Sequence, residues 1–264
     1  MRVHVALTPW EFPELALEGR AALVVDVLRA TSMVIAAFDA GCACVIPVAG
    51  AAEAGERARA LAPAAVLLAG EHGGEQIEGF DLGNSPLDCT PQRVGGRSML
   101  LTTTNGTAAM LKASEAASAA VAALTNVGAA VRWAVSQGRD VTVLCAGEKG
   151  GFSLEDAVCA GLLADGIERA EAGARLSDAA QAARALGTLY GTRLDRLRHD
   201  SGWARHLEAR RRGPDLDCCL RLDASALVPV LVGGAITSGP GALTCPAAEA
   251  DTRSGGPAGP GANR

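Results

Sequence analysis

Aromatic side chains make up only 3% of the 264 residues, and of the 24 basic residues only Lys112 and Lys149 are lysines. With a net charge of −5, the chain lacks the basic face and exposed aromatics that a nucleic-acid partner needs, so no nucleic-acid partner is expected. The Arg-rich run at Arg205, Arg210, Arg211 and Arg212 reads as a solvated helix face. Long apolar runs are also missing. The longest, such as AALVVDVL, fall well short of the roughly 20 residues that cross a bilayer, so no membrane partner is expected. The N-terminus MRVHVALTPWEFPEL lacks the layout of a secretory signal, and the expected location is cytoplasmic. Eight cysteines include no C-x-x-C pair and several sit in apolar runs, which points to small buried thiols in a reducing compartment rather than to zinc or disulfides. The histidines at 4, 72, 199 and 206 are too scattered for a zinc site. Motifs for P-loop nucleotide binding, a nucleophile elbow and a dinucleotide fold are absent from the loops that carry the polar residues.

What is present is an alternation. The β-like runs VHVAL, AALVVDV, CACVIPV, AAVLLAG, SMLLTT, ASAAVAAL and DVTVLCA alternate with helical segments such as SMVIAAFDAG, EAGERARALA, TAAMLKASEA and NVGAAVRWAVSQG. This pattern predicts an α/β fold, a three-layer α/β/α arrangement with a largely parallel or mixed central sheet. A mainly helical portion follows at about 153–212, and ALVPVLVGGAI reads as a last strand pair turning on Gly233 and Gly234. Residues 1–237 are taken as one domain, and the Gly/Pro/Ala-rich residues 238–264 as a disordered tail. The Ala-rich chain with short helices suits a homodimer.

Ligands of open α/β sheets bind beyond the carboxyl ends of the strands, so the strand-to-helix junctions are where chemistry is expected. Four carry unusual polar content: VVDVLRATS, LLAGEHGGEQIEGFDLGNSP, LLTTTNGT and LCAGEKGGFSLED. The stretch EHGGEQIEGFDLGNSP packs four carboxylates and four glycines between Glu71 and Pro86, a composition that local packing cannot favour. Taken singly, Ser85, Ser153, Thr31, Ser32 and Asn105 read as helix caps. Capping does not account for Asp26 in an apolar strand, nor for Glu71, Asp81 and Glu148 on glycine loops. Several carboxylates meeting at one sheet edge repel unless a cation sits among them, and oxygen-only ligation suits a hard ion such as Mg²⁺. Helix N-termini in TTTNGT and GNSP would then receive a phosphate, with Arg29 as an anion clamp.

The ordered set DVLRATS, GE with GFDLGNSP, TTTNGT and CAG…FSLED, together with the late segment DLDCCLRLDASALVPVL, resembles the 2-phosphosulfolactate phosphatase family over about Arg2 to Ile236. The resemblance implies a magnesium-dependent phosphomonoesterase converting 2-phospho-3-sulfolactate to sulfolactate and phosphate, a step of coenzyme M biosynthesis. One departure is His72, where the family commonly places an Arg after the Glu of the GE motif.

The expected catalytic groups are Asp26, Arg29, Asn105 and Glu155. Asn84, Ser85, Thr104, Gly106, Thr107 and Lys149 are expected on the phosphate, and Asp26, Glu71, Asp81, Glu148 and Asp156 on the metal. Asp26 is open to two roles, metal ligand or nucleophile. The rival readings are a phosphatase acting on another small anionic phosphoester and a non-catalytic sensor of an anionic metabolite.

Overall fold

The segment AALVV is buried at every position, as expected of a strand covered on both faces. It forms β2 (Ala21–Val25), and its side chains alternate between two cores. Ala21, Leu23 and Val25 face one apolar cluster, while Ala22 and Val24 face the other. A computed structural model describes residues 1–61, 66–191 and 193–239; the tail expected at 238–264 lies almost wholly outside the described residues.

The strands are β1 (Arg2–Ala6), β2, β3 (Cys44–Pro47), β4 (Val66–His72), β5 (Glu75–Gln76), β6 (Ser98–Thr102), β7 (Ser118–Ala122), β8 (Val141–Cys145), β9 (Arg175–Leu176), β10 (Val230–Val232) and β11 (Ala235–Thr237). They form one mixed sheet in the order β5-β4-β6-β3-β11-β10-β7-β2-β8-β1-β9. Two parallel sets stand out. β4, β6 and β3 make one, and β7, β2, β8, β1 and β9 make the other. The β10–β11 hairpin joins them through antiparallel pairs to β7 and β3. Its turn falls on Gly233 and Gly234, with φ of 58° and 81°, a conformation that side chains resist.

Helices α1 (Ala30–Asp39) and α4 (Gly106–Ala113) lie over one face, where Val94 of the short α3 (Pro91–Val94) joins the same apolar cluster; α2 (Ala51–Ala60) packs on β4 and β6. On the other face are α5 (Val127–Ser136), α6 (Leu154–Ala170) and α7 (Asp178–Tyr190), which gives the expected three layers. The helical portion runs on through α8 (Leu197–Asp200) and α9 (Gly202–Ala209), and α10 (Gly213–Cys219) extends it past its expected end. It is also interrupted by β9, whose two residues are too few to show a periodicity.

Cys42, Cys89, Cys145, Cys159, Cys218 and Cys219 are free thiols, as expected. Cys44 corrects that expectation, because it is disulfide-bonded. No helix among the described residues is long and apolar enough to cross a membrane.

Candidate active site

Parallel pairing in register brings Val25 of β2 level with Cys145 of β8, and Gly70 of β4 level with Thr102 of β6. The chain therefore leaves β2 and β8 side by side and β4 and β6 side by side, while the antiparallel pairs β7–β10, β10–β11 and β11–β3 make the two sets run in opposite senses. α4 packs against β2, β3 and β8 and touches α1, which draws the loops of the two parallel sets together. Between them lies a cleft of about 30 Å³, lined by Asp26, Leu28, Arg29, Glu71, Gly73, Asn84, Thr104, Asn105, Glu148, Lys149 and Trp203.

Asp26 sits just past β2 and is buried. Its Oδ1 accepts from Ala30 N at 3.2 Å, at the start of α1, while Oδ2 accepts no hydrogen bond among the described residues. Burial raises its pKa to about 7, with Glu71, Glu155 and Glu148 adding to the rise and the Ala30 N–H opposing it. A β-carbon on Gly106 would lie 2.6 Å from Asp26 Oδ2 and 2.7 Å from Ala30 Cβ. Only a glycine lets the loop after β6 approach so closely.

Arg29, next to a cis Leu28–Arg29 peptide, is nearly inaccessible. Its Nη1 donates to Asp215 Oδ2 and its Nη2 to the carbonyl of Gly74 at 2.7 Å. Nε is buried and has no acceptor among the described residues, and Asn84 Oδ1 is likewise buried without a donor.

Glu71 at the end of β4 spends both oxygens on backbone, Oε1 on Thr104 N and Oε2 on Gly74 N, each at 2.7 Å. Asn105 Nδ2 donates to Glu148 Oε2 at 3.2 Å, and Lys149 N donates to Asn105 Oδ1 at 3.2 Å. The Lys149 ammonium is exposed, 3.6 Å from Glu148 Oε1.

Asp156 lies behind the cleft in the first turn of α6, where Oδ1 accepts from Val27 N at 2.8 Å and Oδ2 from Gly147 N at 3.0 Å. Those bonds tie the loop after β2 to the loop after β8. Burial, with Asp26 and Glu155 nearby, pushes its pKa well above the carboxylate range. Glu155 faces an adjoining cavity of about 240 Å³ that shares Glu148, Lys149 and Trp203 with the cleft. Burial raises its pKa, against hydrogen bonds from the hydroxyls of Ser201 and Ser153.

The structure thus brings together Asp26, Arg29, Glu71, Asn84, Thr104, Asn105, Glu148 and Lys149, with Gly106 pressed against Asp26. Besides Gly106, five expected residues lie outside the cleft lining: Asp156, Glu155, Asp81, Ser85 and Thr107. Asp81 is exposed and caps its own loop, with Oδ2 accepting from Leu68 N at 2.8 Å. Ser85 precedes the single-turn helix Pro86–Asp88 but makes no cap, since its hydroxyl donates to Asp215 Oδ1 at 2.5 Å. Thr107 turns its hydroxyl back on its own loop, accepting from Thr103 N at 2.8 Å. Thr104 lines the cleft, yet its N–H is committed to Glu71 and not free for an anion. His72 is exposed on the β4–β5 hairpin.

Asp215 on α10 and Trp203 on α9 were not singled out from the sequence. The Trp203 indole N–H donates to Leu28 O at 2.9 Å, and its ring stacks on His206 at 4.5 Å between centroids. Trp203 precedes the Arg-rich run that reads as a solvated helix face, which gave no sign of its role. The one available signal was Asp215 and Asp217 flanking Leu216 in the late segment DLDCC.

A family model described as 2-phosphosulpholactate phosphatase matches residues 6–234. The chain belongs to the 2-phosphosulfolactate phosphatase family. Membership makes it a phosphoric monoester hydrolase. It is 37% identical over 224 residues to a probable 2-phosphosulfolactate phosphatase of Symbiobacterium thermophilum, covering 85% of this chain and 96% of that protein. A protein of the same description from Gloeobacter violaceus is 39% identical over 220 residues, covering 82% and 91%. A third, from Caldanaerobacter subterraneus, is 34% identical over 220 residues, covering 83% and 91%. The matched span takes in all four polar junctions of the phosphatase cleft and ends at the turn of the hairpin, after β10.

Proposed function

We propose that this phosphatase is Mg²⁺-dependent and hydrolyses 2-phospho-3-sulfolactate to 3-sulfolactate and phosphate, the kind of step that coenzyme M biosynthesis requires. The observation that carries the reading is the buried Asp26 carboxylate with its open Oδ2, set in one cleft with Glu71, Glu148, Arg29 and the unpaired Asn84 Oδ1. The substrate is the one named for its relatives.

The donor set fits the metal. It is all oxygen, with Asp26 as principal ligand and Glu148, Glu71 and Asn84 Oδ1 within the same cleft. Among the described residues no three of His, Cys, Asp and Glu form a ready cage. Mg²⁺ takes one or two carboxylates, which Asp26 and Glu148 would supply, and fills its remaining positions with water and substrate phosphate. When bound, the ion would supply positive charge against the oxygens of the transferring phosphoryl group.

The chain's own residues do the rest. Arg29, held on Asp215 and Gly74, presents its Nε–H as a fixed donor for an anionic oxygen. Asn105 holds Glu148 and the Lys149 backbone in place, and the Lys149 ammonium stands at the cleft mouth as a mobile countercharge. Asp156 fixes the two loops that carry Asp26 and Glu148. Trp203 closes one wall and excludes water.

The test is phosphate release across a panel of small phosphoesters, with 2-phosphosulfolactate among phospho-2-hydroxy acids that lack the sulfonate. The highest kcat/KM is expected for 2-phosphosulfolactate. A higher value on a sulfonate-free ester would move the assignment to that substrate.

A further inference from the structure

We propose that Asp215 is a positioning residue for the phosphatase reaction, fixing the Arg29 guanidinium in the cleft and thereby setting the affinity of the site for the anionic substrate. The proposal rests on the phosphatase reading and adds to it a residue from the helical portion, 186 positions away from Arg29.

Both side chains are almost inaccessible, at 2% for Arg29 and 4% for Asp215. One oxygen of Asp215 takes Arg29 Nη1 and the other takes the Ser85 hydroxyl. The carboxylate is therefore held from two sides, by the loop after β5 and the loop after β2. Arg29 is held from two sides as well, since Nη2 donates to Gly74 O. A guanidinium is planar, so two anchored nitrogens fix the direction of the third. That third nitrogen, Nε, has no acceptor among the described residues, although leaving a buried donor unpaired is costly. Arg29 lines the cleft beside Asn84, whose Oδ1 is the matching unpaired acceptor. A pair serving only to tie α10 to the loops would not need to strand a donor next to the cleft. A pair that holds a donor ready for substrate would.

The experiment compares wild type, Asp215→Asn, Asp215→Glu, Ser85→Ala, Arg29→Ala and the Asp215→Asn/Arg29→Ala double variant. It measures KM and kcat for 2-phosphosulfolactate, the inhibition constant of inorganic phosphate, and Tm. Losing one charge-assisted bond corresponds to a change of roughly 10- to 100-fold in affinity. Asp215→Asn is expected to raise KM and the phosphate inhibition constant together by that factor, with kcat falling less. Asp215→Glu should recover part of the loss and Ser85→Ala should show a smaller rise. The double variant should bind no worse than Arg29→Ala alone, because both changes remove one device. A lower Tm with wild-type KM and phosphate inhibition in Asp215→Asn would overturn the proposal and leave the phosphatase reading intact. If Asp215→Asn does not fold, unchanged KM and phosphate inhibition in both Ser85→Ala and Asp215→Glu would overturn it equally. A wild-type enzyme that releases no phosphate from any ester in the panel would overturn both readings.

Discussion

Asn105 and Glu148 meet at 3.2 Å, joining the loop after β6 to the loop after β8 across the two parallel sets of the sheet. Asn105→Ala should lower kcat by about 10- to 100-fold, the range for losing a group that orients a ligating side chain, with little change in Tm. Asn105→Asp should be worse, since it sets a second carboxylate against Glu148. Steady-state rates and thermal melts of the two variants check both statements. An Asn105→Asp enzyme as active as Asn105→Ala would remove the tie from the catalytic argument.

Gly106→Ala places a methyl 2.6 Å from Asp26 Oδ2 and 2.7 Å from Ala30 Cβ, and neither neighbour is the free end of a long side chain. Overpacking of this kind costs about 1–3 kcal/mol. Urea denaturation should show that loss, and turnover should fall further than stability because the displaced atom is the Asp26 oxygen that faces the cleft. Wild-type turnover in a destabilised variant would show that Asp26 moves without consequence.

Asp26→Asn keeps the shape of the residue but removes its charge. If Asp26 is a ligand, the variant should bind Mg²⁺ more weakly by calorimetry, lose about 10²- to 10³-fold in rate, and regain part of it at high metal. A nucleophilic Asp26 would instead give no recovery at any metal concentration, and acid-quenched wild-type enzyme would carry label from ³²P-substrate on the Asp26 peptide.

The metal-free enzyme should become less stable as pH rises. Asp26 has a folded pKa of about 7, raised by burial above its ordinary value of 3.8. Between those values the folded state binds the extra proton, so stability is highest below about pH 4 for this group and falls as pH climbs to 7, by at most about 1.4 kcal/mol per pH unit. Asp26→Asn should flatten that slope in chelator. A slope unchanged by the substitution would assign it to Asp156 and Glu155, whose pKa values are also raised by burial.

Chelation should abolish turnover, and Mg²⁺ or Mn²⁺ should restore it better than Ca²⁺. Mn²⁺ shares the near-octahedral oxygen preference of Mg²⁺, whereas Ca²⁺ is larger and takes more ligands. Full activity in excess chelator would take the metal out of the mechanism.

Much of the architecture was legible in the chain itself. Seven strands announced themselves as short apolar runs, and the hairpin turn at Gly233 and Gly234 followed from the only residue type that accepts φ of 58° and 81° in succession. The four junctions of the site were legible for the same local reason, since Asp26 in an apolar run and carboxylates on glycine loops are expensive unless something collects them. Local pattern failed where a side chain had a choice of partners. Ser85 and Asp81 looked like site residues, yet one hydroxyl went to Asp215 and one carboxylate to Leu68 N. Cys44 likewise looked like one more buried thiol, and its disulfide was invisible to spacing.

The sequence by itself determined the alternation of strands and helices, the strand-to-helix junctions where ligands belong and the oxygen-rich chemistry available there, because each depends on residue type and short-range periodicity. Only the tertiary structure decided that the loops of two separate parallel sets meet, that Asp156 turns both oxygens to backbone while Asp26 leaves one open, and that Asp215 reaches Arg29 across 186 residues. Those outcomes depend on the hairpin β10–β11 inserted between the two sets and on α4 packing across both, and no window of local sequence contains the partners they bring together.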